Sequence, residues 1–194
     1  DAELFTLFHH EGSVTPVIEN RKVHSSVLDR IPVLRERYRT LIPFYPWAIE
    51  QFDLSGFDRI FSLSHCVAKG VKKRPDARHT TYCFTPVRYF WDMYDQYFPP
   101  ERLNFLTRQV VPRVAERTRQ WDVRSTDRVD RIFAISDYVS VRIQRCWGRE
   151  SEVIYPPGRP QPLLAVGRAG GLLPYGVLLR SLKAGLSGDG GFIA

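Results

Sequence analysis

The sequence predicts an α/β protein built on a doubly wound parallel sheet. Short runs of strand-forming residues recur through residues 1–157 (ELFTLF, DRIFSL, TTYCF, RIFAI and EVIY), each too short to make a helix. Longer helical patterns lie between several of them. No hairpin signal joins neighbouring runs, and strands that alternate with helices favour parallel pairing.

Taken in chain order, Glu3–Phe8 reads as a buried strand, followed by a polar loop through Glu19 that carries His9 and His10 as exposed loop histidines. Lys22–Leu28 is a second short strand. Arg35–Phe52 is helical in pattern but interrupted at Pro43 and Pro46, so two helical pieces are expected to meet at an aromatic corner of Phe44, Tyr45 and Trp47. Asp58–Leu63 is the next strand, ending at Ser64 and His65. His65 at a strand's carboxyl end is either a ligand contact or a structural hydrogen bonder. The following KGVKKRP segment concentrates Lys69, Lys72, Lys73 and Arg74, in a solvated loop or opposite phosphates.

Residues 79–92 are the centre of the pattern. Thr80–Phe84 is a strand, and Thr85-Pro86 is a helix-start signal, with a hydroxyl to cap and a proline at the first helical position. Ligands of open α/β sheets bind beyond the carboxyl ends of the strands, and the free N–H groups of a helix start there suit an anionic or polar ligand. Arg88, Trp91 and Asp92 are then expected in the first turns. Tyr89, Phe90 and Trp91 fit a core or a sugar platform equally.

Glu101–Arg128 is a long helical pattern, kinked at Pro112, with Leu103, Leu106, Val110, Val114 and Trp121 marking its buried face. On an unbroken helix Arg113, Arg117, Arg124 and Arg128 fall within about 60° of one another. They are either stems lying along an apolar rim or a contact with a lipid surface. Arg131–Ile135 is a strand, Ser136-Asp137 caps a helix over 138–147, Gly148 stops it, and Glu152–Tyr155 is the last strand before Pro156-Pro157. Beyond residue 157 the composition shifts: nine of the 13 glycines lie in residues 158–194. The GRAGG and SGDGG pieces there fit neither of the glycine-rich nucleotide fingerprints.

At 43% hydrophobic and 13% aromatic, 194 residues suffice for one domain with a sizeable core. Three widely spaced cysteines, Cys66, Cys83 and Cys146, exclude a disulfide framework or zinc site by pattern and fit a reducing cytoplasm. No run approaches the ~18 apolar residues of a membrane span. The net charge of +7 is shared, +4 in residues 1–157 and +3 in residues 158–194, and no nucleic-acid-binding signature accompanies it.

Three blocks carry a resemblance: FYPWAIEQFDLSGFDRIFSLSHCVAKGV, YCFTPVRYFWDMYDQYF and WDVRSTDRVDRIFAISDYVSVRIQRCWGRESEVIYPP. In order and spacing they resemble the N-terminal, acceptor-side domain of retaining family 4 ("group 1") glycosyltransferases, and within these the mannosyltransferases of bacterial O-antigen and exopolysaccharide assembly. The resemblance implies a Rossmann-like domain over residues 1–157, the N-terminal half of a two-domain GT-B architecture. It implies a further strand and glycine-rich loop before Asp1. It also implies a nucleotide-sugar domain after Pro157, where residues 158–194 stand instead as a glycine-rich tail that is not expected to pack as a continuation of the body.

The implied activity is transfer of a sugar, mannose by likeness, from a nucleotide-diphosphate sugar as co-substrate to a lipid-linked or oligosaccharide acceptor, with retention. No cofactor and no metal are implied. The setting implied is the cytoplasm, at the inner face of the membrane with peripheral contact to anionic lipid, and no nucleic-acid partner. His65, Arg88, Trp91 and Asp92 match the family's Ser-His and Arg-x-x-Trp-Asp positions, and with Thr85 and Ser136 they are the acceptor-cleft candidates. Phe84 stands where many relatives carry a histidine, and a phenyl ring cannot exchange a proton, so no catalytic residue is assigned. With the donor-holding domain implied elsewhere, the isolated chain is expected to be inactive. The alternative is a non-catalytic basic α/β module that binds anionic lipid or nucleic acid.

Overall fold

The structure, a computed structural model, describes residues 2–12, 14–31, 38–92, 94, 105–156 and 179–182, with the backbone alone at 38–40, 106–107 and 179–182. Strands β1 (Ala2–Thr6), β2 (Val23–Ser25), β3 (Arg59–Ser64), β4 (Arg78–Cys83), β5 (Arg131–Ala134), β6 (Glu152–Val153) and β7 (Leu179–Leu182) form one sheet in the order β2-β1-β7-β3-β4-β5-β6. β1 and β2 pair in parallel, as do β3 with β4, β4 with β5 and β5 with β6. The α/β class and parallel pairing expected from the alternation are therefore present, and consistent with a Rossmann-like fold.

The helices are α1 (Pro16–Glu19), α2 (Tyr45–Ile49), α3 (Phe105–Arg124) and α4 (Asp137–Trp147), with 3₁₀ turns at Val27–Arg30, Tyr38–Phe44, Ala68–Gly70 and Ser125–Arg128. α4 starts and stops where its sequence dictates. Ser136 Oγ accepts from the Val139 N–H, and Gly148, at φ 66°, adopts the left-handed conformation that returns its N–H to the Gln144 carbonyl. Pro43 lies in the 3₁₀ turn and Pro46 in the first turn of α2, so the two proline-bounded pieces do meet at Phe44 and Tyr45.

Three expectations are corrected. Thr85-Pro86 does not open a helix. Residues 88–92 form turns, and Thr85 Oγ1 donates to the Pro86 carbonyl instead of capping an N–H. Longer-range bonds hold this segment: Arg119 Nε donates to the Phe90 carbonyl, Trp91 Nε1 donates to Asp122 Oδ2 at 2.9 Å, and Asp92 pairs with Arg142.

The buried face of α3 is also rotated from the apolar stripe. Ala115, Thr118 and Asp122 are buried while Val110 is 54% exposed, because the helix turns polar groups inward to meet a buried lysine. Leu103 lies outside the described residues, as does the side chain of Leu106. The four arginines do not form a stripe either: Arg128 lies in the 3₁₀ turn beyond α3 and donates to Glu50 Oε1 at 2.7 Å and the Gly70 carbonyl at 2.6 Å. Of residues 158–194, the described residues 179–182 form β7 between β1 and β3.

Two apolar clusters form the core, one from Phe5 through Ala115 and one from Cys83 through Trp147, and Trp91 packs against both. Between them sits a fully buried ion pair. Lys69 Nζ lies 2.9 Å from Asp122 Oδ1 and donates to Ser125 Oγ at 2.6 Å and the Asp122 carbonyl at 2.5 Å. Asp122 Oδ2 accepts from the indoles of Trp91 (2.9 Å) and Trp147 (2.7 Å). Lys69 Nζ also lies 4.5 Å from the Trp147 ring centroid and 5.5 Å from that of Trp121, within cation–π range. A Cβ at Gly70 would fall 2.3 Å from Trp121 carbons, so glycine is what lets the indole lie there.

Candidate functional site at the carboxyl edge of the sheet

Register fixes which side chains share an edge. Ser64, Cys83, Ala134 and Val153 are successive partners across β3 to β6. The next backbone bonds continue the row: Phe84 N–H to the Ser64 carbonyl, Ile135 to Cys83 and Ile154 to Ala134, at 2.8–3.1 Å. At about 4.8 Å between strands, this brings His65, Phe84, Ile135 and Ile154 into one row. Cys66, Thr85, Ser136 and Tyr155 follow one residue beyond. Of the six sequence-expected residues, His65, Thr85 and Ser136 therefore share the carboxyl edge of three adjacent strands, with the exposed Arg88 three residues past Thr85.

The remaining two have other employment. Trp91 is tied to Asp122, and Asp92 lies between Arg142 and Arg145. Both hold the segment in place rather than face outward as free polar groups. Ser136 spends its hydroxyl on the α4 cap. Burial pulls the His65 imidazole below its ordinary value, so at neutral pH the ring is uncharged, a hydrogen-bonding group rather than a cation. Arg88 supplies fixed charge close by.

Aromatic residues complete this edge, and of these only Phe84 was singled out in the sequence. Phe84 is 36% exposed, and Tyr82 packs against it edge-on at 5.5 Å between centroids. Tyr138, in the first turn of α4, is 69% exposed and Tyr155 is 61% exposed. The Tyr155 hydroxyl donates to Asp137, which pushes the phenol above its usual value and keeps it protonated. Their signal in the sequence was position: each lies within four residues of a strand's carboxyl end. The edge therefore presents flat apolar faces beside a neutral imidazole, a threonine hydroxyl and a guanidinium.

Compared with family models, curated proteins and solved structures, the chain matches none.

The basic segment lies at the opposite end of the strands, ahead of β4. Lys72 pairs with Glu50 at 3.3 Å, Lys73 with Asp130 at 3.2 Å, and Arg74 with Asp58 at 2.5 Å and Asp76 at 3.3 Å. Together with Arg128 these residues line a cavity of about 250 Å³, yet their charge is matched by neighbouring carboxylates. Among the described residues, no three of His, Cys, Asp and Glu come together to hold a metal ion, and no helix is long and apolar enough to cross a membrane. His9 is not simply an exposed loop histidine, since its Nε2 lies 3.1 Å from Glu19 Oε2.

Proposed function

We propose that this chain supplies the acceptor-side wall of a retaining glycosyltransferase that moves a hexose, with mannose as the leading candidate, from a nucleotide-diphosphate sugar to a lipid-linked or oligosaccharide acceptor. The GT-B assignment and a cytoplasmic site of action at the inner face of the membrane belong to this proposal. The observation that carries it is the row set by strand register, which gathers His65, Thr85 and Ser136 at one carboxyl edge with Phe84 among them and Arg88 just beyond. Open α/β sheets bind ligands at that edge.

Each group has a role suited to its chemistry. Arg88 is the cation for the diphosphate of a lipid-linked acceptor. The uncharged His65 and the Thr85 hydroxyl exchange hydrogen bonds with sugar hydroxyls. Phe84 and Tyr138 offer apolar faces for a sugar ring or lipid chain, and Phe84 takes no part in proton transfer. Trp91 and Asp92 act as positioning residues through Asp122 and Arg142. Catalysis in such a transferase is largely positional and electrostatic, with donor and acceptor held in register across a cleft. The alternative of a basic binding module loses its densest cationic segment to the ion pairs of Lys72, Lys73 and Arg74.

The test is to titrate the purified chain with a polyprenyl-diphosphate-linked sugar, and separately to incubate it with GDP-mannose or UDP-sugars plus that acceptor while measuring released nucleotide diphosphate. The expected result is acceptor binding that Arg88→Ala weakens by about tenfold, the scale of one charge-assisted contact, with no release above background. Absence of binding, or binding indifferent to Arg88→Ala, overturns the assignment of this edge. Release that is lost in Arg88→Ala would mean that this chain needs no second domain.

A further inference from the structure

The cleft beside Trp91 lies outside the sugar-transfer proposal. It has a volume of about 450 Å³ and is lined by Trp91, Glu116, Arg119, Gln120, Val123 and Arg124, within the ~300–1,000 Å³ of small-molecule sites. None of His65, Phe84, Thr85, Arg88 and Ser136 lines it. Five of the six lining residues belong to α3. Glu116, Gln120, Val123 and Arg124 recur at the i, i+4, i+7, i+8 spacing of one helix face, with Arg119 beside them.

The lining is held in place before any ligand arrives. Trp91 spends its N–H on Asp122 Oδ2 and packs against both apolar clusters, so what the indole has left for the cleft is apolar ring. Val123 extends that surface. Arg119 Nε donates to the Phe90 carbonyl, its guanidinium lies 5.5 Å from the Tyr94 ring centroid, and Nη1 is 3.5 Å from Glu116 Oε2. Gln120 Nε2 donates to Glu116 Oε1 at 3.1 Å, which leaves the amide oxygen of Gln120 as its remaining group, an acceptor. Arg124 Nε donates to the Gln120 carbonyl at 3.2 Å, and its Nη groups have no hydrogen-bond partner among the described residues.

This inventory discriminates between ligands. Two guanidiniums against one carboxylate give the lining a charge of +1, the complement of a monoanion, whereas a phosphate monoester carries close to about −2. The planar fork of Arg124 suits a carboxylate. Glu116 and the Gln120 amide oxygen only accept, so they call for ligand hydroxyls, and the apolar surface of Trp91 and Val123 calls for a face of C–H groups. A carboxylate, several hydroxyls and a C–H face on one small ring describe a uronic acid. We propose that this cleft binds a hexuronate, with its carboxylate on Arg124 and Arg119, its hydroxyls on Glu116 and Gln120, and its C–H face against Trp91 and Val123. All of these contacts are to one ring, so a methyl glycoside carries the whole recognition unit.

The test titrates the full chain with methyl β-D-glucuronide and, in parallel, with methyl β-D-glucoside and uridine monophosphate, reading the resonances of the Trp91 indole and the Gln120 side-chain amide. The expected result is that the glucuronide shifts both, with an affinity at least about tenfold above that of the glucoside, the scale of one charge-assisted contact. Arg124 is exposed, so Arg124→Gln spares the fold and should bring the two glycosides to within about twofold of each other. Arg113→Gln removes an equal charge from an exposed position of α3 outside the cleft and should leave the preference intact. Absence of any shift with the glucuronide, equal affinity for the two glycosides, a preference that survives Arg124→Gln or is lost in Arg113→Gln, tighter binding of uridine monophosphate than of the glucuronide, or shifts confined to His65 and Thr85 would each overturn the proposal.

Discussion

His79 shows how a single side chain can tie stability to acidity. It lies fully buried on β4, with Nδ1 3.2 Å from the Arg128 carbonyl and Nε2 3.0 Å from Ser62 Oγ. A carbonyl only accepts, so Nδ1 carries a proton, and burial keeps the ring neutral at neutral pH. Burial drives its pKa from 6.5 to about 4. Between those values the unfolded chain binds the extra proton, so the contribution of His79 is complete above about pH 6.5 and is lost as pH falls toward 4. The loss is on the order of 3 kcal/mol. Denaturant melts between pH 4 and 7 should therefore show a steeper decline for the native protein than for His79→Gln, and parallel curves would refute the assignment. No local feature of RHTTYC distinguishes His79 from its neighbours. The tertiary environment alone, a carbonyl from another segment and a serine on β3, sets its behaviour.

At the scale of elements, Asp122 on α3 joins four segments: the turn at 68–70 through Lys69, the 84–92 segment through Trp91, α3 itself and α4 through Trp147. Asp122→Ala leaves Lys69 charged and buried without its partner, so a loss of about 3–5 kcal/mol is expected. Lys69→Met combined with Asp122→Leu should recover much of it. Urea unfolding of the three variants is the measurement, and a cost below about 1 kcal/mol for Asp122→Ala would show that the pair does not hold these segments. This pair also explains which elements could be read from the sequence. α4 was legible at both ends because Ser136 and Gly148 act locally. The inward face of α3 was not, because periodicity counts apolar residues, and here the polar Thr118 and Asp122 are buried beside Ala115. Thr85-Pro86 misled for the same reason: its helix-start signal is local, whereas Arg119, Asp122 and Arg142 act on that segment from far away in sequence.

For the molecule as a whole, the parallel pairing of β3, β4 and β5 was legible because each strand is a compact apolar run followed by its own connection. The insertion of β7 was not, since LRSL carries no strand signature and its partners lie more than a hundred residues away. The three thiols provide a global measure of integrity. Cys66 and Cys83 are pushed up to about 12 and Cys146 to about 11 by burial, and all three are free. Native protein at neutral pH should leave all three unmodified by a thiol-specific disulfide reagent over the time in which unfolded chain reacts fully, and rapid native labelling of Cys66 or Cys83 would contradict the packing described. The indole cage around Lys69 has an optical consequence. Trp91, Trp121 and Trp147 surround or adjoin one buried cation–carboxylate dipole, whereas Trp47, the fourth tryptophan, is 52% exposed. Emission should accordingly resolve into a water-relaxed red component from Trp47, open to iodide quenching, and a blue component less open to iodide, whose wavelength is set by the internal electric field of that dipole.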